Sequence, residues 1–277
     1  MQPAYGESPE FRKLVEGQAG VDLTRIALEI SRDADPAVDP DAYLARIDEL
    51  SERVRDRCPR GCRPAHILGQ INWVLYVEEG FQGNTDDYND PRNSYMHEVI
   101  QRKMGIPISL CLLYRAIAGR LGLDLGGVNL PSHFMLRTGE TDPFFIDAFN
   151  GGTLLDRDAC ERKIGQVTGR KVVLTADLIQ PASPRSIVRR LLRNLKYQLM
   201  SQGDYQSVLP VTRRLVALDR ENASEQRDFG LACYHTDRPA EAVEAFRIYL
   251  MSEPEAEEAQ EIRELIKRFM REVAERN

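Results

Sequence analysis

Between residues 21 and 80 apolar side chains return every three or four positions in three successive segments, VDLTRIALEISRDA, DPDAYLARIDELSERVRDR and PAHILGQINWVLYVEEGF. That spacing gives each segment one apolar stripe and predicts a helical N-terminal part. Asp39 is placed to cap the second helix, with Pro40 at its first helical position, where a missing N–H costs no hydrogen bond. The period then stops. GFQGNTDDYNDPRNSY is dense in Gly, Asn, Asp and Pro, which supply positive φ, side-chain to backbone hydrogen bonds and fixed φ. An ordered polar loop is expected, anchored by Phe81, Tyr88 and Tyr95.

A short helix is expected from Ser94 to Lys103, broken by Gly105-Ile-Pro107, and Pro107 opens the next one. That helix, ISLCLLYRAIAGRLGL, is apolar around most of its circumference and belongs at the buried centre of its domain. The runs GGVNLP, HFMLRT, PFFIDAF and TLLD follow, spaced by turn-forming residues as hairpin-connected antiparallel strands are. One buried helix with a small antiparallel sheet makes this middle part α+β.

After GRKVVLTADLIQPASP the helical period resumes and repeats. At an offset of 34 residues, Leu195, Leu199, Gly203, Tyr205, Val208 and Leu215 fall on Phe229, Cys233, Asp237, Pro239, Ala242 and Tyr249. This is the tetratricopeptide (TPR) period. The second copy has the small residues Gly230 and Ala242, the aromatic Phe246 and the terminal Pro254, whereas the first has Lys196 where a small residue is expected. Two repeats and a final amphipathic helix, EEAQEIRELIKRFMREVAERN, make a short solenoid. The expected division is therefore residues 1–170 for the helical part and the core (the core about 80–170), 171–184 as a linker, and 185–277 as the helical module.

The 277 residues, 42% hydrophobic and 29% charged, have a folded, soluble composition. A formal net charge of -6 without a lysine- or arginine-rich block disfavours nucleic acid as a partner. No segment approaches the ~20 apolar residues that cross a bilayer, and MQPAYGESPEF lacks a basic region followed by an apolar one. A cytoplasmic protein without a membrane span is expected, its five cysteines reduced. Cys58 and Cys62 have half of a zinc-site spacing, but no second pair of ligands follows, and His97 and His133 lie in no metal-binding spacing. No metal and no organic cofactor is expected.

The chemistry-bearing residues are Cys111 on the central helix, His133 at the start of HFMLR and Asp147 in FFIDAF. A thiol, an imidazole and a carboxylate can serve as nucleophile, base and orienter. Each also has a structural role: Cys111 packs among leucines, His133 donates to a carbonyl, Asp147 caps the Gly-Gly turn, and Ser109 caps the first turn of the central helix.

The run GFQGNTDDYNDPRNSYMHEVIQRKMGIPISLCLLYRAIAGRLGL, continued by GGVNLPSHFMLR and FFIDAFNGGTLL, resembles the SirB-type bacterial proteins of the transglutaminase-like superfamily, which carry TPR repeats behind a papain-like core. The resemblance covers residues ~20 to ~275 and implies that His133 and Asp147 correspond to the superfamily histidine and aspartate. It puts the superfamily nucleophile at Pro107, where GIP replaces Gly-x-Cys, so that Cys111 lies one helical turn further in, ~6 Å along the axis. It also implies that Asn84, Arg92, Asn93 and Tyr95 join the loop to the core or contact a ligand. The expectation is a degenerate, non-catalytic member that binds a protein or peptide partner. The alternative is a cysteine-dependent hydrolase or acyl transferase acting on amides through Cys111, His133 and Asp147.

Overall fold

A computed structural model of the protein describes residues 8–139 and 143–275. The first seven residues of MQPAYGESPEF and the last two of the final predicted helix lie outside the described residues. Two compact units divide the chain: residues 10–191, and residues 192–277 with the first nine.

The larger unit begins with α1 (Pro9–Val15), α2 (Leu23–Ser31), α3 (Pro40–Asp56) and α4 (Pro64–Asn72). Side chains cap three of these starts. The buried Glu29 carboxylate accepts the N–H groups of Glu10 and Phe11 at 2.9 and 2.8 Å, satisfying orphan donors of α1. Asp22 accepts from Thr24 and Arg25, and Asp39 from Asp41 at 3.0 Å, with Pro40 opening α3. Along α3 the stripe Leu44, Ile47, Leu50 and Val54 is buried, each side chain contributing about 1.5–3 kcal/mol relative to exposure.

The third predicted helix is in fact two pieces. After α4 the chain widens into a π-helical stretch, Trp73–Glu78. Asn72 Nδ2 donates to the Gly152 carbonyl at 2.9 Å, and the Tyr76 hydroxyl to that of Ala148 at 2.8 Å. The irregular turn holds these groups against the segment after Asp147, a tertiary demand that a 3.6-residue period does not reveal.

The polar loop is tied at both ends by a short parallel pair, β1 (Gln82–Gly83) with β2 (Met104–Gly105), which flank α5 (Met96–Arg102). Pro107 opens α6 (Pro107–Arg120), in which every residue from Pro107 to Tyr114 is buried. The antiparallel sheet has the order β3 (Gly126–Leu130), β4 (His133–Arg137), β5 (Phe145–Asp147), β6 (Thr153–Leu155). The β3–β4 link is two residues long, pairs Leu130 with His133, and holds Ser132 at φ 54°. Gly127 permits this hairpin, since a Cβ there would stand 2.6 Å from the Phe134 ring.

Val128, Leu130, Met135 and Phe145 form one apolar cluster with Cys160 and Ile164 of α7 (Arg157–Thr168), Leu174 and Ile179. The sequence pattern misses α7, whose buried apolar residues are just Cys160 and Ile164. Asp156 starts it by accepting from Ala159 at 2.8 Å. Residues 171–184 contribute Leu174 and Ile179 to this cluster.

In the smaller unit, α8 (Pro184–Ser201), α9 (Tyr205–Leu218), α10 (Ala223–His235), α11 (Pro239–Ser252) and α12 (Ala259–Glu275) follow one another, with the boundary between the units falling inside α8. α9 and α11 begin 34 residues apart. Gly230 lets α10 approach α11: a Cβ there would lie 2.5 Å from the Phe246 ring. No helix among the described residues is long and apolar enough to cross a membrane.

Candidate active site

β4 begins at His133 and β5 ends at Asp147, and both side chains are buried. His133 Nε2 stands 2.9 Å from Asp147 Oδ1. Asp147 also receives the Asn150 side-chain amide at 2.7 Å and its backbone N–H at 3.3 Å, with Lys163 Nζ 4.0 Å away. Burial alone would raise the Asp147 pKa. The hydrogen bond and charge of His133, with Asn150 and Lys163, outweigh it and hold the carboxyl below the usual aspartate value. An ionised carboxylate can only accept, so Nε2 carries the proton and Nδ1 is the nitrogen left to serve a ligand.

Cys111 is not joined to this pair. Its sulfur is fully buried, and its S–H donates to the Phe134 carbonyl at 3.5 Å. Burial drives the thiol pKa far above its ordinary value, the Asp147 charge adds to this, and a backbone hydrogen bond from Ala148 opposes it. Among the described residues no hydrogen bond connects Cys111 with His133. Pro107 is buried at the opening of α6.

The loop residues meet at that same helix start. Asn84 Nδ2 donates to Asn93 Oδ1 at 3.0 Å, and Asn84 Oδ1 accepts from Asp87. Asn93 donates to the Asp87 carbonyl at 2.7 Å, and its own carbonyl accepts the Ser109 hydroxyl at 2.6 Å. Ser109 Oγ in turn accepts the Ile106 N–H at 3.1 Å, capping the first turn of α6. Arg92 pairs with Asp90, which also holds Arg102, and Tyr95 is buried beside the His97 ring. Most of these bonds lie within the loop, and Arg102 on Asp90 and Ser109 on the Asn93 carbonyl link it to the two helices that follow.

One further ring adjoins His133, and two more residues adjoin its neighbours. The Phe149 ring stands edge-on to the imidazole at 6.2 Å, and Tyr88 stands edge-on to Phe149 at 6.0 Å. Arg190, on α8, donates from Nη1 to the Leu130 carbonyl at 3.1 Å, lies 3.4 Å from Asn129 Oδ1 and places its Cζ 5.7 Å over the Phe134 ring. Nothing local in the sequence marks Arg190, which falls inside an amphipathic helix read as part of the repeat module. Among the described residues no group of three or more His, Cys, Asp or Glu is placed to hold a metal ion.

Comparison with known proteins gives this arrangement its family. A family model described as the transglutaminase-like superfamily matches residues 41–193, and a tetratricopeptide repeat model matches residues 195–267. A UPF0162 protein of Xylella fastidiosa (strain Temecula1) is 30% identical over 236 residues, 84% of each chain. Protein SirB1 of Salmonella typhimurium is 28% identical over 166 residues, 59% of this chain and 61% of that one. F-box only protein 21 of Homo sapiens is 41% identical over 140 residues, 47% of this chain and 21% of that protein. With the buried His–Asp pair at the sheet, the central helix beside it and the repeats behind, the chain belongs to the transglutaminase-like superfamily as a SirB-type member with TPR repeats.

Proposed function

We propose that this protein is a degenerate, non-catalytic member of its superfamily that binds a protein or peptide partner in the cytoplasm. One observation carries the reading: the Cys111 sulfur is buried and donates to the Phe134 carbonyl, and among the described residues no hydrogen bond joins it to His133. A nucleophilic thiol needs a stabilised thiolate and an open approach, and burial works against both. The TPR repeats support a protein partner, since such modules present extended surfaces to peptides. Five free cysteines accord with a reducing compartment.

The His133–Asp147 hydrogen bond favours a second reading, a cysteine hydrolase or acyl transferase. In it Cys111 would attack an amide carbonyl, and His133 would pass the thiol proton to the leaving amine while Asp147 holds the ring. That chemistry requires the sulfur to leave its present site. Alkylation of the native protein with iodoacetamide from pH 5 to 9, resolved by residue, separates the two. The half-buried Cys58 and Cys62 react as pH rises, while Cys111 stays unlabelled until the protein is unfolded. Labelling of native Cys111 at mildly acidic pH would reverse the assignment.

A further inference from the structure

Arg190 holds a charge that no acid among the described residues pairs with. Its hydrogen bonds run to a carbonyl and to an amide oxygen, both through Nη1, and no carboxylate among the described residues pairs with it. Nε and Nη2 carry no hydrogen bond among the described residues, and neither is sealed from solvent. These two atoms form the side edge of the guanidinium, one of the two edges that match a carboxylate with parallel hydrogen bonds. The group is also fixed in place: Phe134 lies under the guanidinium, and the Leu130 carbonyl that it grips belongs to the residue paired with His133. A partly desolvated cation without an acid is costly, and the cost is recovered when an anion arrives.

The surroundings say what kind of molecule brings that anion. Tyr88, Phe149 and His133 form a continuous edge-to-face row. Arg190 grips the carbonyl of Leu130, the strand partner of His133, and His133 ends the row, so the row and the cation adjoin the same end of the hairpin, where Tyr88 is 43% exposed. An apolar row beside a guanidinium suits a short peptide segment with one carboxylate, and gives nothing for the many charges of a polyanion.

We infer that Arg190 anchors a carboxylate of a bound peptide through Nε–H and Nη2–H, with Tyr88 and Phe149 covering the adjoining side chain. The inference rests on the peptide-binding reading above and names the partner's chemistry. The carboxylate belongs to an Asp or Glu side chain or to a free C terminus.

The test uses the full chain and four probes: acetyl-Ala-Ala-Glu-Ala-Ala-amide, its Gln counterpart, acetyl-pentaalanine with a free carboxylate, and the same peptide as the amide. Each is titrated to about 10 mM, a range that detects millimolar affinity, while the Arg190 Nε–Hε resonance is followed by NMR. At least one acid is expected to shift that resonance and to bind about tenfold or more tighter than its uncharged counterpart. The pair that shows the preference identifies the source of the carboxylate. Arg190→Gln abolishes the preference, and Arg190→Lys, a cation without the fork, restores part of it.

The anchor is overturned if the uncharged peptides bind as well as the acids, if Arg190→Gln retains the preference, or if no peptide moves the resonance. The comparison of acid with amide on the unaltered protein decides the matter even where a variant fails to fold. Mass spectrometry of each mixture keeps the two proposals apart. Cleavage or acyl transfer that depends on the carboxylate sinks the non-catalytic reading and leaves the anchor standing, whereas intact peptides without carboxylate dependence sink the anchor alone.

Discussion

His133 Nε2 and Asp147 Oδ1 lie 2.9 Å apart between adjacent strands, and both side chains are buried. Removing one partner of such a pair leaves the other uncompensated. Asp147→Ala is expected to cost about 3–5 kcal/mol at neutral pH, read as a lowered urea midpoint. The Asp147 pKa is depressed in the folded state, so its contribution is full above the ordinary aspartate value and is lost as pH falls through the lower folded value. The gap between wild type and variant therefore narrows below about pH 4. A gap that stays constant from pH 7 to pH 3 would show that the carboxylate is not what stabilises the sheet here.

At the alkaline end the buried thiols dominate. Burial raises Cys160 to about 12, with smaller pushes from Asp147 and Glu161, and it raises Cys233 to about 12. Both values exceed the ordinary thiol value, so the unfolded chain loses these protons first. Stability is full below the ordinary value of about 8.5 and declines as pH rises from there toward the folded values. Urea midpoints taken from pH 8 to pH 10 should fall, and Cys160→Ala and Cys233→Ala should each flatten the decline. An unchanged slope in both variants would place the alkaline sensitivity elsewhere.

Much of this was legible because it is written locally. Asp39 and Pro40 open α3, Pro107 opens α6, and His133 to Arg137 form a strand, since caps and short periods are properties of a few neighbouring residues. Two features that escaped are set by distant partners. The π-helical stretch is placed by bonds from Asn72 and Tyr76 to residues 148–152, some 70 to 80 positions away. Arg190 becomes part of the site because the fold carries α8 to the end of the β3–β4 hairpin, which no spacing within α8 announces. Cys111 shows the converse. Its place on the helix could be read from the sequence, but the Phe134 carbonyl that receives its S–H could not.

Lys196 shows how a departure from a repeat pattern can be a structural device. It stands where the TPR pattern has a small residue, and its Nζ lies 2.7 Å from Glu225 Oε2 and 2.5 Å from Asp228 Oδ2, both on α10. Glu225 is 1% exposed and also accepts from Arg193 at 2.6 Å, while Asp228 is held as well by Arg227. A small side chain at 196 would restore the usual packing distance and leave two carboxylates with one cation each. Lys196→Ala is therefore expected to destabilise the smaller unit by about 3 kcal/mol, with faster amide exchange along α10. Adding Glu225→Gln should recover part of the loss, because the charge left behind is then removed. If Lys196→Ala matched or exceeded wild-type stability, side-chain packing and not the ion cluster would be what joins α8 to α10.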